Sequence, residues 1–200
     1  MQELTSFFYI AILLVSVILH EMAHGYAALS QGDKTALYAG RLTFNPIKHL
    51  DLWGSILIPL FLILSGAGFV IGWAKPVPYN PDNLKNQVWG KIWVAMAGIL
   101  TNITIAVVFA LLVQFAPLGE SALSIAYMII ITNIVLAIFN LVPIPPLDGS
   151  KIILAFVPAK YEHRIQAIER YSFVILIVFI LYGWGLISPL ISRLFETLVS

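Results

Sequence analysis

The chain has 200 residues, 60% of them hydrophobic and only 10% charged, with a formal charge of +1. A soluble domain carries about 25% charged residues, so this composition belongs to a chain that lives in lipid, and its near-neutral balance offers no footprint for nucleic acid. There is no cysteine, which excludes disulfide frameworks, thiolate metal sites and a cysteine nucleophile together and leaves His, Asp or Glu to hold any metal.

Five apolar stretches, at about residues 4–29, 52–71, 92–116, 122–141 and 171–192, are near the length that crosses a bilayer. They predict an all-α polytopic membrane protein built as one membrane-embedded domain over residues 1–200. The first residues, MQELTSFFYI, lack the basic region and small-residue cleavage site of a secretory signal, so the first stretch is expected to be retained. That stretch carries HEMAH at residues 20–24. His20 and His24 fall on one helix face one turn apart, where two imidazoles can grip one ion. H-E-x-x-H is the zincin arrangement, with the intervening Glu21 beside the metal as general base. A Glu in the membrane costs on the order of 2.5 to 3.5 kcal/mol unless compensated, and a bound cation compensates it. The bland alternative is a polar trio lining a helix interface.

Residues 30–50 are polar and contain LYAGRLTF, a stretch suited to a strand. In NPIKHLD, His49 and Asp51 form a second polar pair, either spare ligands or a proton relay, or a solvated interfacial loop. Residues 72–90 hold Pro76, Pro78 and Pro81 and are not expected to be helical. PLGES at 117–121 is a tight turn that makes a hairpin of the third and fourth stretches. The fourth ends in NLVPIPPLDGS, residues 140–150, where three prolines break the span and Gly149 lets the backbone turn. Non-helical backbone at membrane depth is tolerated where it lines a cavity. Catalytic zinc usually takes three protein ligands, and His49, His163 and the carboxylates are candidates for the third, with Asp148 the best placed. As an alternative, Asp148 is an ordinary cap in a solvated turn. AKYEHRIQAIER, residues 159–170, has the spacing of a short surface helix, with His163 exposed on it. The five Trp read mainly as interfacial anchors.

HEMAH with NLVPIPPLDG resembles the site-2 protease family, zinc metalloproteases that cut other proteins inside the membrane, and GRLTFNP and GWAKPVP extend the likeness to its short prokaryotic members. The resemblance implies one zinc ion held by His20, His24 and Asp148, water activated by Glu21, and a transmembrane protein as substrate within the lipid bilayer. AGILTN, residues 97–102, is similar to the family's A-G-P-x-x-N helix start, with Ile99 where proline is usual. Asn140 and Asn102 are candidates to meet the oxyanion or the substrate backbone; for these and Asn133 an interhelical hydrogen bond is the competing role.

If the three ligands meet, an even number of crossings separates the end of the first span from the end of the fourth. The stretch 52–71 must then dip in and out, or cross and return through Gly66 to Pro78, whose thirteen residues reach about 43 Å against a core of about 30 Å. LYAGRLTF would pair with the returning segment, and either edge could hold an unwound substrate by strand addition. With the return, ten of the eleven Lys and Arg share one face and Arg193 stands opposite. The N-terminus is then outside, and the active site lies nearer the cytoplasmic face of a prokaryotic membrane. Two other functions fit parts of the pattern: a metal-ion transporter, which needs polar groups along several spans, and a non-catalytic protein that holds membrane clients.

Overall fold

The computed structural model describes residues 2–66 and 72–200, and all regular structure among them is helical. Helix α1, Gln2–Ser30, ends because Gly32 takes φ +102°: the Gly32 N–H bonds Leu29 O and the Asp33 N–H bonds Ala28 O, each at 3.0 Å, the paired bonds of a glycine-closed helix end. Short elements follow, namely α2, Thr35–Tyr38, a tight turn at Pro46–His49, and a π-helical turn, Leu52–Leu57, that feeds α3, Ile58–Leu64. The long pair α4, Trp89–Phe115, and α5, Glu120–Leu141, forms the expected hairpin around Pro117. Beyond the prolines come α6, Asp148–Leu154, and α7, Glu162–Arg170. The last helix runs through α8, Ser172–Val178, a π-helical stretch, Phe179–Gly183, and α9, Trp184–Val199.

Among the described residues four helices are long and apolar enough to cross a membrane: Phe7–Ser30, Trp89–Phe115, Glu120–Leu141 and Ser172–Val199. The second of the five apolar stretches, expected either to dip in and out or to cross and return, does not form a helix of spanning length. Its helix runs only from Leu52 to Leu64, about 20 Å at 1.5 Å per residue, which is short of the hydrocarbon core. It stops where Gly66 turns at φ +67°. The return expected between Gly66 and Pro78 passes through residues 67–71, outside the described residues, as does the side chain of His163, whose exposure was expected.

The strand expected at LYAGRLTF is corrected, since no strand occurs among the described residues. Leu37 and Tyr38 close α2, Gly40 turns the chain at φ +62°, and Arg41 sends its guanidinium to Lys75 O at 2.7 Å. Residues 72–80 form neither helix nor strand, and their backbone partners lie elsewhere: the Trp73 N–H bonds Gly54 O at 3.1 Å and the Lys75 N–H bonds His49 O at 2.8 Å. Pro76 and Pro78 have no N–H to continue a ladder.

Helix α4 is the hub, packed between α1 and α5 with α6 and α9 against it. Ala106 and Ala110 on α4 let the backbones close on Ile130 and Ile134 of α5 and Ile191 of α9, the small-residue packing of helices in lipid. Along α1, His20 meets Asn102 and His24 meets Val94. Numbers rise along α1 as they fall along α4, so the two helices are antiparallel and residues 31–88 leave and rejoin the bundle at the same end.

Candidate metal centre

The zincin spacing puts His20 and His24 on the face of α1 turned to α4, and the proline-broken end of α5 brings Asp148 in as the first residue of α6. His20 Nε2 and His24 Nε2 are 3.0 Å apart, and each lies 3.1 Å from Asp148 Oδ2. All three residues are buried. Two glycines permit this approach. A Cβ on Gly98 of α4 would sit 2.6 Å from both imidazole Nε2 atoms, so only glycine fits against the pair. A Cβ on Gly149 would overlap the Leu141 carbonyl oxygen. Gly149 is therefore needed for close packing of α6 on α5, and not for the backbone turn expected of it: it lies inside α6 and is not among the glycines with positive φ.

The hydrogen bonds behind the rings fix what the front presents. His24 Nδ1 lies 2.7 Å from the Val94 carbonyl, which can only accept, so Nδ1 carries the proton. His20 Nδ1 lies 2.6 Å from Asn102 Oδ1, while Asn102 Nδ2 donates to Asn133 Oδ1 at 2.8 Å; here too Nδ1 is the donor. Neutral rings of this tautomer turn two Nε2 lone pairs and a carboxylate oxygen onto one point. Three acceptors at 3.0–3.1 Å repel one another unless a cation joins them. Tetrahedral N and O donors at about 2.0–2.1 Å from zinc are themselves about 3.3 Å apart. Donor chemistry and spacing both fit zinc. The other carboxylate oxygen, Asp148 Oδ1, accepts from Lys151 Nζ at 2.8 Å, which leaves Oδ2 for the metal.

Glu21 stands beside the pair, and His20, Glu21 and His24 offer ligand atoms within 4.8 Å of one another. Its Oε2 accepts the Val77 N–H at 2.8 Å, so the 72–80 segment is tied to it. Of the other sequence candidates only Asn102 touches this cluster. Asn102, fully buried, bonds the back of His20, and Asn140 Nδ2 returns to Leu136 O on its own helix at 2.9 Å. His49 is fully buried, not solvated as the loop reading had it, with Nε2 on Thr43 O at 2.8 Å, and Asp51 caps the π-helical turn through the Gly54 N–H at 2.7 Å. Asn133 makes the interhelical hydrogen bonds considered for it, to Asn102 and Ser16, whereas Gly98 and Ser16 escaped the sequence reading. Gly98 carries no side chain to read, and Ser16 was one more small residue in an apolar run.

The sequence profile of Peptidase family M50 matches residues 8–119 and 116–183. YwhC of Bacillus subtilis (strain 168), which bears a zinc metalloprotease name, is 40% identical over 175 residues, covering 83% of this chain and 76% of its own. Rip2 of Mycolicibacterium smegmatis, similarly named, is 27% identical over 93% of this chain and 69% of its own. Zinc metalloprotease MJ0392 of Methanocaldococcus jannaschii is 26% identical over 90% of this chain but 45% of its own length. No solved structure gives a significant match. With two thirds and more of the chain matched and the donor cluster lying inside the matched residues, the chain belongs to Peptidase family M50, the site-2 protease family, and is an integral membrane zinc metalloprotease.

Proposed function

We propose that the protein is an intramembrane endopeptidase that hydrolyses peptide bonds in or near transmembrane segments of other membrane proteins. His20, His24 and Asp148 hold one zinc ion, and Glu21 is the general base. The observation that carries this reading is the convergence of three buried acceptor atoms beside a carboxylate. Bound zinc supplies Lewis acidity, polarising a carbonyl and lowering the pKa of water. Glu21 takes the proton from the attacking water and delivers it to the leaving nitrogen. The Val77 N–H fixes Oε2 and so aims the carboxylate. Burial of the donors excludes bulk water and strengthens these interactions.

A helical substrate hides its amides and has to unwind before attack. The 72–80 segment offers it a template. Trp73 and Lys75 spend their N–H groups on Gly54 and His49, and Val77 spends its own on Glu21. The residues Ala74, Pro76 and Pro78 alternate with these along the chain, and both prolines are exposed. An extended peptide adding there would donate to their carbonyls. Asn102 enters this reading as a structural contact, fully buried and bonded to His20 and Asn133, while Asn140, which spends one amide proton on Leu136 O, keeps a second that could meet the oxyanion.

The test is to purify the protein, measure zinc by mass spectrometry, and follow cleavage of a model transmembrane substrate by the parent and by Glu21→Gln. The expected result is one zinc per chain in both and a loss of about 10²–10⁴-fold in cleavage for the variant. Equal cleavage, or a parent free of zinc, overturns the assignment.

A further inference from the structure

A buried run of hydrogen bonds leads from α5 to the metal donors. The Ile129 carbonyl is its fixed end, because it can only accept. Asn133 gives one amide proton to Ile129 O at 2.9 Å and the other to Ser16 Oγ at 3.0 Å. Both its donors are spent, so its Oδ1 is turned to Asn102, whose Nδ2 donates to it at 2.8 Å. That contact turns Asn102 Oδ1 to His20 Nδ1, 2.6 Å away. Asn102 and Asn133 have no exposed surface, so water cannot replace either partner. Each amide could otherwise flip, and a neutral imidazole could carry its proton on either nitrogen. Only the order of donors along this run decides between them.

We propose that Asn133, which touches none of the metal donors, is a positioning residue for the centre: acting through Asn102, it holds His20 as the Nδ1–H tautomer and turns the Nε2 lone pair to the metal. The role of the tautomer in metal binding rests on the metalloprotease reading, but the tautomer itself does not. Ser16 completes the run by occupying the second Asn133 proton, and it ties the same α1 face that carries the histidines.

Two substitutions separate positioning from packing. In Asn133→Leu the Asn102 amide has no acceptor and is free to present its NH₂ to His20. Asn133→Asp keeps an acceptor for Asn102 Nδ2, and the Ser16 hydroxyl can rotate to donate to it. Zinc affinity, measured by competition with a chelator, is expected to fall about 10–100-fold in Asn133→Leu and to stay within about threefold of the parent in Asn133→Asp. A contact that matters only for packing predicts the reverse order, because a buried carboxylate disturbs a helix interface more than leucine does.

The direct readout is the ¹⁵N spectrum of histidine-labelled, metal-free protein above the pH at which imidazole titrates, with His20 assigned from a His20→Gln sample. The parent should show Nδ1–H at His20, and Asn133→Leu should shift it toward Nε2–H. An Nε2–H signal in the parent, unchanged signals and affinity in Asn133→Leu, or equal losses in both variants would overturn the proposal. A parent with the Nδ1–H signal that binds no zinc would instead refute the metalloprotease reading and leave the tautomer assignment standing.

Discussion

Gly98 is the residue on which the two histidines depend most directly. Its missing side chain is the space the imidazoles occupy, with a would-be Cβ 2.5 Å from His20 Cε1 and 2.6 Å from His24 Nε2. Gly98→Ala should therefore push both rings out of register and lower zinc affinity at least about tenfold, as loss of ligand support does. Overpacking a buried site costs about 1–3 kcal/mol, which offsets or exceeds the about 1 kcal/mol by which alanine favours a helix over glycine, so the metal-free protein should melt at or below the parent. Zinc titration beside thermal unfolding in detergent checks both halves. HEMAH was legible because the ligands themselves carry the spacing, and Asp148 because an acid in a proline-broken span end needs a reason. Gly98 was quoted within AGILTN but not read, since an absent side chain gives no periodic signal and its meaning exists only against a neighbouring helix.

Among the connecting elements, the junction of α1, α2 and the 80–83 turn is organised by Asp33. Its Oδ1 accepts from the Thr35 hydroxyl, the Thr35 N–H and Asn83 Nδ2, and its Oδ2 from the Asn80 N–H at 2.8 Å. Burial alone would raise its pKa, but these donors outweigh burial and hold it below the ordinary Asp value. A depressed folded-state pKa contributes stability that is fully present above the unfolded value of about 3.9 and is lost as pH falls through the folded one. The melting-temperature gap between the parent and Asp33→Asn should thus be constant from about pH 5 to pH 8 and close below about pH 4. A gap independent of pH over that whole range would show that the charge of Asp33 contributes nothing. The ends of α4 and α5 were readable from Pro117 and Pro143, which cannot continue a helix. The absence of a strand at LYAGRLTF and the length of the helix within 52–71 were not, because β-suited composition does not say whether a partner can donate, and hydropathy counts apolar residues without finding the glycine that stops them.

At the scale of the whole molecule, four long apolar helices and the antiparallel pairing of α1 with α4 put the 31–88 connection and α6 at one end of the bundle, with ten of the eleven basic residues at that end in the proposed topology. On the positive-inside rule we propose that this end is cytoplasmic. Because the chain has no cysteine, single replacements report cleanly. A membrane-impermeant maleimide added to intact cells should label Arg193→Cys at once and Lys85→Cys only after permeabilisation, and the opposite pattern would invert the proposed orientation. The span count was nearly legible from hydropathy alone, whereas the end at which the chain re-enters the bundle needed the metal donors as a constraint. Those donors are also far apart in time. His20 and Asp148 are separated by 128 residues, so at about 5–20 residues per second a ribosome delivers the carboxylate roughly 6–25 s after the imidazole. A half-made chain therefore holds its histidines without the third donor of the proposed zinc centre until Asp148 has been made.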